Sequence, residues 1–226
     1  MSHPPRPKRI PAPLWFLCLL FCIHAPAQAQ EARVSFTLDF PGSEPAHYVI
    51  AVSSDGQATY ESNGKISAEA ETTDQFRAEF TASPATRARI FDLSRRAHHF
   101  DGDIDSKKKN LAMTGTKTLT YADAQRSFRA TYNYSPISAV QELTQLFQNL
   151  SSTLEFRRRL EYYYRYQKLA LDDEMKRMEE MSNQNSLEDM AAVAPILRQI
   201  AGDPSVINPV RARAQRLLER AVTASR

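Results

Sequence analysis

The sequence predicts an α+β protein: an antiparallel sheet with a covering helix, followed by a helical C-terminal region containing one long helix and a helical hairpin. Three patterns predict this class. Apolar and polar residues alternate over residues 33–62 and again over 116–134, as in half-buried strands. A helix signature at Ser83 separates the two strand segments, and from Pro136 onward apolar residues recur at helical spacing. Strands interrupted by one helix favour a sheet with that helix over one face.

Residues 1–29 are predicted to be a cleaved signal peptide. Three basic residues precede the apolar run 14–23, and Ala27 and Ala29 flank Gln28 at a small-residue cleavage site. The apolar run is about half of the roughly 20 residues that a membrane-spanning helix needs. We therefore expect an exported protein, periplasmic or secreted, without a stable membrane anchor after cleavage.

Cleavage would change the composition of the chain. Both cysteines would be lost, which excludes a disulfide or a thiolate metal site in the mature protein. Three basic and no acidic residues would be lost, leaving 26 Lys and Arg against 26 Asp and Glu. This neutral balance gives no support to nucleic-acid binding, and we expect none. The remaining length suits an α+β domain over 30–150 and a helical region over 151–226.

The first strands are predicted between residues 33 and 82. "RVSFTLDF" alternates with a period of two, and "HYVIAVSSDGQATYES" is typical of a hairpin that turns at Asp55-Gly56. Residues 63–75 are polar and predict a loop, after which "FRAEFTA" predicts another strand. Ser83-Pro84 then opens the covering helix through a cap followed by proline. Beyond this helix, "TKTLTYA" and "RSFRATYNY" predict a second antiparallel pair.

The C-terminal region begins with a helix after Pro136. Ser152 and Glu155 match a capping box, which predicts that a new, long helix starts at Thr153 and runs to about Met181. On a helical wheel, this long helix has one apolar arc, formed by Phe156, Leu160, Tyr163, Tyr164, Leu171, Met175 and Met178. A separate stripe consists of Tyr162, Tyr166 and Leu169. This stripe either packs against the C-terminal hairpin or stays exposed and binds a partner, such as another envelope protein.

The last helices have clear boundary signals. Ser186 is predicted to cap a helix in which Pro195 introduces a kink, and Gly202 is predicted to end it. Asn208-Pro209 is predicted to start the final helix.

Two resemblances follow from these patterns. Residues 33–150, with "YVIAVSSDGQATYES" before a Ser-Pro helix and a further strand pair, resemble small exported bacterial α+β domains of unknown function. "LRQIAGDPSVINPVRARAQRLL" is similar to one HEAT-type helical hairpin. HEAT units need neighbours to bury their faces, so a lone unit is expected to pack on the rest of this protein. Neither resemblance implies an active site.

The stretch "HHFDGDID" holds the candidate metal ligands, which are His98, Asp101, Asp103 and Asp105. Counted as an EF-hand loop from Asp101, position 6 is Ser106 instead of glycine and position 12 is Ala112 instead of glutamate. Three lysines follow immediately and would repel a divalent cation. This pattern favours a turn after the helix, with carboxylates that are solvated or paired to the lysines, and no metal or cofactor is expected.

Catalytic motifs are scarce in the sequence. It contains no Gly-x-Ser-x-Gly elbow and no Gly-rich phosphate loop, and its glycines are scattered singly. We therefore expect an exported, soluble, non-catalytic binding or structural protein. The alternative is a hydrolase or metal-dependent enzyme whose site is assembled from dispersed residues such as His98, Asp101 and Asp103.

Overall fold

The structure is a computed structural model that describes Met1, His3 and residues 31–67 and 70–224. The signal-peptide prediction concerns residues that lie, apart from Met1 and His3, outside this described part. No helix within the described residues is long and apolar enough to span a membrane.

A six-stranded antiparallel sheet forms the N-terminal half of the described chain, with the strand order β4-β3-β2-β1-β5-β6. Its strands are β1 Arg33–Asp39, β2 His47–Ser53, β3 Gln57–Gly64, β4 Asp74–Thr81, β5 Thr116–Ala122 and β6 Ser127–Tyr132. One helix interrupts the strands and further helices follow them from Ser138 to Ala224, which confirms the predicted α+β class with its helical C-terminal region.

One face of the sheet is buried because the strands alternate. Val34, Phe36 and Leu38 of β1 point into the core, whereas Ser35 and Thr37 lie on the opposite, polar face. The buried face is covered by α1 Pro84–Arg96 and by the first half of α2 Ser138–Tyr166. An antiparallel sheet can leave its polar second face to water in this way.

The helix α1 starts as the sequence predicts, because the Ser83 side chain accepts a hydrogen bond from the Thr86 amide at 3.3 Å. It ends in an unusual turn, in which His98, His99 and Phe100 have φ values of 50°, 55° and 67°. This left-handed conformation is costly for residues other than glycine. Burial of the Phe100 side chain in the core holds the turn in place.

The predicted helix restart at Ser152 is wrong, because α2 runs unbroken from Ser138 to Tyr166. The Ser152 hydroxyl donates to the Gln148 carbonyl at 3.1 Å, inside the helix, instead of capping a new one. The predicted continuation to Met181 is also wrong, because Gln167 adopts φ −146° and ψ 61° and ends the helix.

Three further helices complete the fold. They are α3 Leu171–Asn183, α4 Ala194–Gly202 and α5 Asn208–Ala224. The predicted helix end at Gly202 and the predicted helix start at Asn208 are confirmed. The predicted cap at Ser186 and kink at Pro195 are wrong: Asp189 has φ 51° and breaks the helical path, and Pro195 lies in the first turn of α4, where proline is tolerated.

Tertiary contacts of residues 188 and 189 explain why α4 does not start at Ser186. Asp189 accepts a hydrogen bond from the Ser83 amide at 2.7 Å, and Glu188 accepts one from the Thr86 hydroxyl at 3.2 Å. Burial raises the pKa of both carboxyl groups. The segment before α4 is therefore pinned to the start of α1 instead of coiling into a helix.

The apolar interior consists of two clusters that meet on α2. The first lies between the sheet, α1 and α2 and includes Leu154, and the second lies among α2, α3, α4 and α5 and begins with Phe156. The division expected between residues 150 and 151 falls inside α2, close to the point where the clusters meet.

Candidate binding groove

The stripe identified on the helical wheel lies at the end of α2 and is largely exposed. Tyr166 is 65% exposed and Leu169 is 89% exposed, while Tyr162 is partly buried. Of the two alternatives for this stripe, packing against the C-terminal hairpin does not hold for Tyr166 and Leu169. Because α2 ends at Tyr166, Leu169 lies on the short 3-10 turn Lys168–Ala170.

Tyr162 and Tyr166 line a surface groove of about 530 Å³. The groove lies between the start of β4, the last turns of α2 and the first turn of α4. We call it the tyrosine groove, and its lining residues are Ile66, Phe76, Arg158, Glu161, Tyr162, Tyr164, Arg165, Tyr166, Pro195, Ile196 and Gln199. Apolar walls with a few polar groups are typical of sites that bind ligands or peptides.

The tyrosines of the groove are held by ring contacts. The Tyr162 ring centroid lies 5.2 Å from that of Tyr166 and 5.6 Å from that of the buried Tyr163. The Arg165 guanidinium lies 5.9 Å from the Tyr166 ring centroid. Tilted ring contacts at these distances are favourable, so the exposed tyrosine rings are partly oriented before any ligand binds.

The 3-10 turn that follows α2 is held by contacts of the Lys168 ammonium group. Lys168 donates to the Asp203 carboxylate at 2.8 Å, and its ammonium lies 5.1 Å from the Tyr164 ring centroid. Partial desolvation and the nearby Asp203 carboxylate raise the pKa of Tyr164. The Tyr164 hydroxyl is thus already engaged by Asp203, as Lys168 is.

Arg158, which lines the tyrosine groove, belongs to a buried polar network that joins α2 to the sheet. Glu155 accepts hydrogen bonds from Tyr60 at 2.8 Å and from Ser62 at 2.6 Å, and its other oxygen lies 3.5 Å from the Arg158 guanidinium. Arg158 also donates to the Gly64 carbonyl at 2.9 Å. Glu155 and Arg158 are each only 5% exposed, so the pair is buried as well as bonded.

Two arginines of α2 also donate hydrogen bonds to the edge strand of the sheet. Arg157 reaches the Glu79 carbonyl at 3.5 Å, and Arg158 reaches the Asp74 carbonyl at 3.4 Å. Both carbonyls belong to the edge strand β4, whose unpaired backbone groups could otherwise join another strand.

The opposite side of α2 carries a smaller cleft of about 240 Å³, lined in part by Ser151, Glu155, Arg159 and Arg177. Its arginines are already occupied: Arg159 donates to Glu174 at 2.6 Å, and Arg177 lies 3.7 Å from the other oxygen of Glu174. The cleft thus lacks the free charge that would attract an ionic ligand.

The candidate metal ligands lie on the turn after α1 and the loop that follows it. Asp103 forms an ion pair with Lys107 and accepts a hydrogen bond from the Asp105 amide at 3.1 Å. His98 and Asp101 are exposed. Among the described residues, no group of three or more His, Cys, Asp or Glu side chains is arranged to hold a metal ion.

His47 lies far from the adjacent His98 and His99. His99 contacts the Tyr121 ring in a tilted arrangement with 4.2 Å between ring centroids, and burial lowers the pKa of His99. His47 contacts Asp39, which pairs across the sheet with Thr116. Tyr121 is five residues further along β5 than Thr116, about 17 Å at the rise of a strand. The two histidine regions therefore do not share a site.

The fold and the groove together define an α+β protein with an aromatic, arginine-lined surface groove at the junction of its sheet and its helical region. No protein-family model matches the chain, and no curated protein matches it.

Proposed function

We propose that this chain is an exported, non-catalytic binding module of the periplasm or the cell exterior, and that the tyrosine groove binds a partner protein. The observation that carries the proposal is the exposure of Tyr166, which lines the groove and is 65% exposed, and of Leu169, which is 89% exposed on the turn that follows α2. Large apolar side chains that remain exposed next to one another often mark an interface. Tyrosine and arginine, which line the groove, are also the residues enriched at protein interfaces.

The charges of the groove favour an acidic partner segment. The carboxylate of Glu161 lines the groove but is bound by Arg157 at 2.8 Å, and Arg158 is paired with Glu155. Arg165 contacts the Tyr166 ring and forms no ion pair within the described part of the chain. An acidic side chain flanked by apolar ones would pair with Arg165 while covering Tyr166 and Leu169.

The enzymatic alternative has less support from the geometry. A hydrolase or metal-dependent enzyme built on His98, Asp101 and Asp103 would need these side chains to converge on one cavity. Asp103 instead pairs with Lys107, and the His98 side chain is exposed.

The test compares matched variants as baits. The chain from Gln30 onward is immobilised and exposed to a detergent extract of its native envelope. The bait is wild type, the double variant Tyr166→Ala/Leu169→Ala, or the control Ile207→Ala, which shortens another exposed aliphatic side chain. A protein bound by wild type and control but lost by the double variant is then purified, and its Kd is measured.

We expect the double variant to weaken this Kd at least about 30-fold, as loss of an interfacial hot spot does. Arg165→Glu should also weaken binding, because it replaces the charge that pairs with the acidic segment. Equal affinities for the wild type and the double variant would contradict the proposal, as would an extract in which no protein distinguishes the two.

A further inference from the structure

A second exposed surface lies away from the tyrosine groove, on the segment that we call the lysine loop, residues 107–114. It consists of three lysines followed by the sequence "NLAMT". Leu111 is 42% exposed and Met113 is 64% exposed, and Tyr134, from the segment after β6, is 45% exposed. Basic and apolar side chains thus share one surface.

The fold holds this loop in place through polar contacts. The buried side chain of Lys117 contacts four oxygens: the Thr114 carbonyl and hydroxyl at 3.1 and 2.9 Å, the Gly115 carbonyl at 3.2 Å and the Asn133 carbonyl at 2.9 Å. The Asn133 side chain donates to the Ala112 carbonyl at 3.1 Å. The backbone at the end of the loop, from Ala112 to Gly115, is therefore held by polar contacts, while Leu111 and Met113 remain exposed.

The charges on the loop are only partly neutralised. Lys107 forms an ion pair with Asp103. Lys108 and Lys109 are exposed, and no ion pair joins them to a carboxylate of the described residues. Two ammonium groups are consequently available next to Leu111 and Met113.

We infer that the lysine loop docks this protein on an anionic phospholipid bilayer. Lys108 and Lys109 meet the lipid phosphates, while Leu111 and Met113 enter the boundary between headgroups and acyl chains. A lipid surface fits this composition better than a protein does, because protein interfaces are depleted in lysine. Such binding is peripheral and reversible, since each lysine near an anionic surface contributes only about fivefold in affinity. The inference is independent of the tyrosine groove.

Vesicle sedimentation tests this inference. The chain from Gln30 onward, which contains every described strand and helix and lacks the apolar run 14–23, is mixed with vesicles of phosphatidylcholine alone or with added phosphatidylglycerol. The variants are Lys108→Gln/Lys109→Gln and Leu111→Ser/Met113→Ser. The matched control is Ile207→Ala, which shortens a 53% exposed aliphatic side chain outside both proposed binding surfaces. All substituted side chains are exposed, so the fold is expected to tolerate them, and circular dichroism checks this.

We expect binding to vesicles that contain phosphatidylglycerol, weakened by 0.5 M salt because the charges are screened. The lysine variant should bind about 25-fold more weakly, and the apolar variant about tenfold more weakly. The control should bind as wild type does. Equal binding to the two vesicle types, unchanged binding of the lysine variant, or loss of binding in the control would overturn the inference. Binding of an acidic protein to the loop, without binding of the loop to either type of vesicle, would also overturn the inference.

Discussion

Substitution Glu155→Gln removes the charge at the centre of the buried network and leaves its size almost unchanged. The glutamine oxygen can still accept from Tyr60 and Ser62, but its amide group then faces the Arg158 guanidinium, donor against donor. Breaking a buried ion pair by altering one partner costs about 3–5 kcal/mol. Because Arg158 keeps the Gly64 carbonyl at 2.9 Å, we expect the lower end, about 3 kcal/mol.

Urea unfolding measures this loss. With a slope of about 2 kcal/mol per molar, the expected shift in the urea midpoint is about 1.5 M. The matched control is Glu161→Gln on the same helix, whose partner Arg157 lies 2.8 Å away but whose side chain is 43% exposed. An exposed pair contributes less than about 1 kcal/mol, so the control midpoint should move little. Similar midpoints for the two variants would refute the assigned role of the buried pair.

Four further substitutions test the fold. His98→Gly should stabilise the protein by about 0.5–1 kcal/mol, because glycine accepts the φ of 50° without strain, and a urea midpoint no higher than that of wild type would contradict this. Gly115→Ala should destabilise it by at least about 2 kcal/mol, since the added Cβ would lie 2.7 Å from a Phe40 carbon at a φ of 96°. Gly102→Ala, with φ 92° and no atom within 4 Å, should cost only about 1 kcal/mol, and equal losses in thermal unfolding would refute the steric argument. Tyr166→Ala should change the free energy of unfolding by less than about 0.5 kcal/mol, so a large loss would show that its exposure is misjudged.

The sheet and the first helix were readable from the sequence because their signals are local. Alternation in "RVSFTLDF", the Asp55-Gly56 turn and the Ser83-Pro84 start each depend on a few neighbouring residues. The prediction of a helix restart at Ser152 was wrong because the outcome depended on contacts between distant residues. Glu155 had the right spacing for a capping box, but its carboxylate is bound by Tyr60 and Ser62, more than 90 residues away. Sequence spacing carries no record of that contact.

The candidate groove was only half predictable. The helical wheel identified Tyr162, Tyr166 and Leu169 because the period of a helix is local information. The opposite walls, Phe76 of β4 and Pro195 of α4, are brought to the groove by the packing of distant elements. The run "RRR" at residues 157–159 did not predict the partners of these arginines. Arg157 and Arg158 bind carbonyls of the edge strand β4, whereas Arg159 binds the buried Glu174.

The unbroken course of α2 has a consequence for how the protein comes apart. This helix of 29 residues, about 43 Å long, contributes side chains to both hydrophobic clusters. Neither cluster can open fully without exposing its share of the helix, so loss of one removes support from the other. We therefore expect a single cooperative melting event, in which the amide hydrogens around residues 150–158 exchange with solvent only when the whole molecule unfolds. A protease that cut within this stretch would break the covalent link between Phe76 on one side of the groove and Tyr162 and Tyr166 on the other.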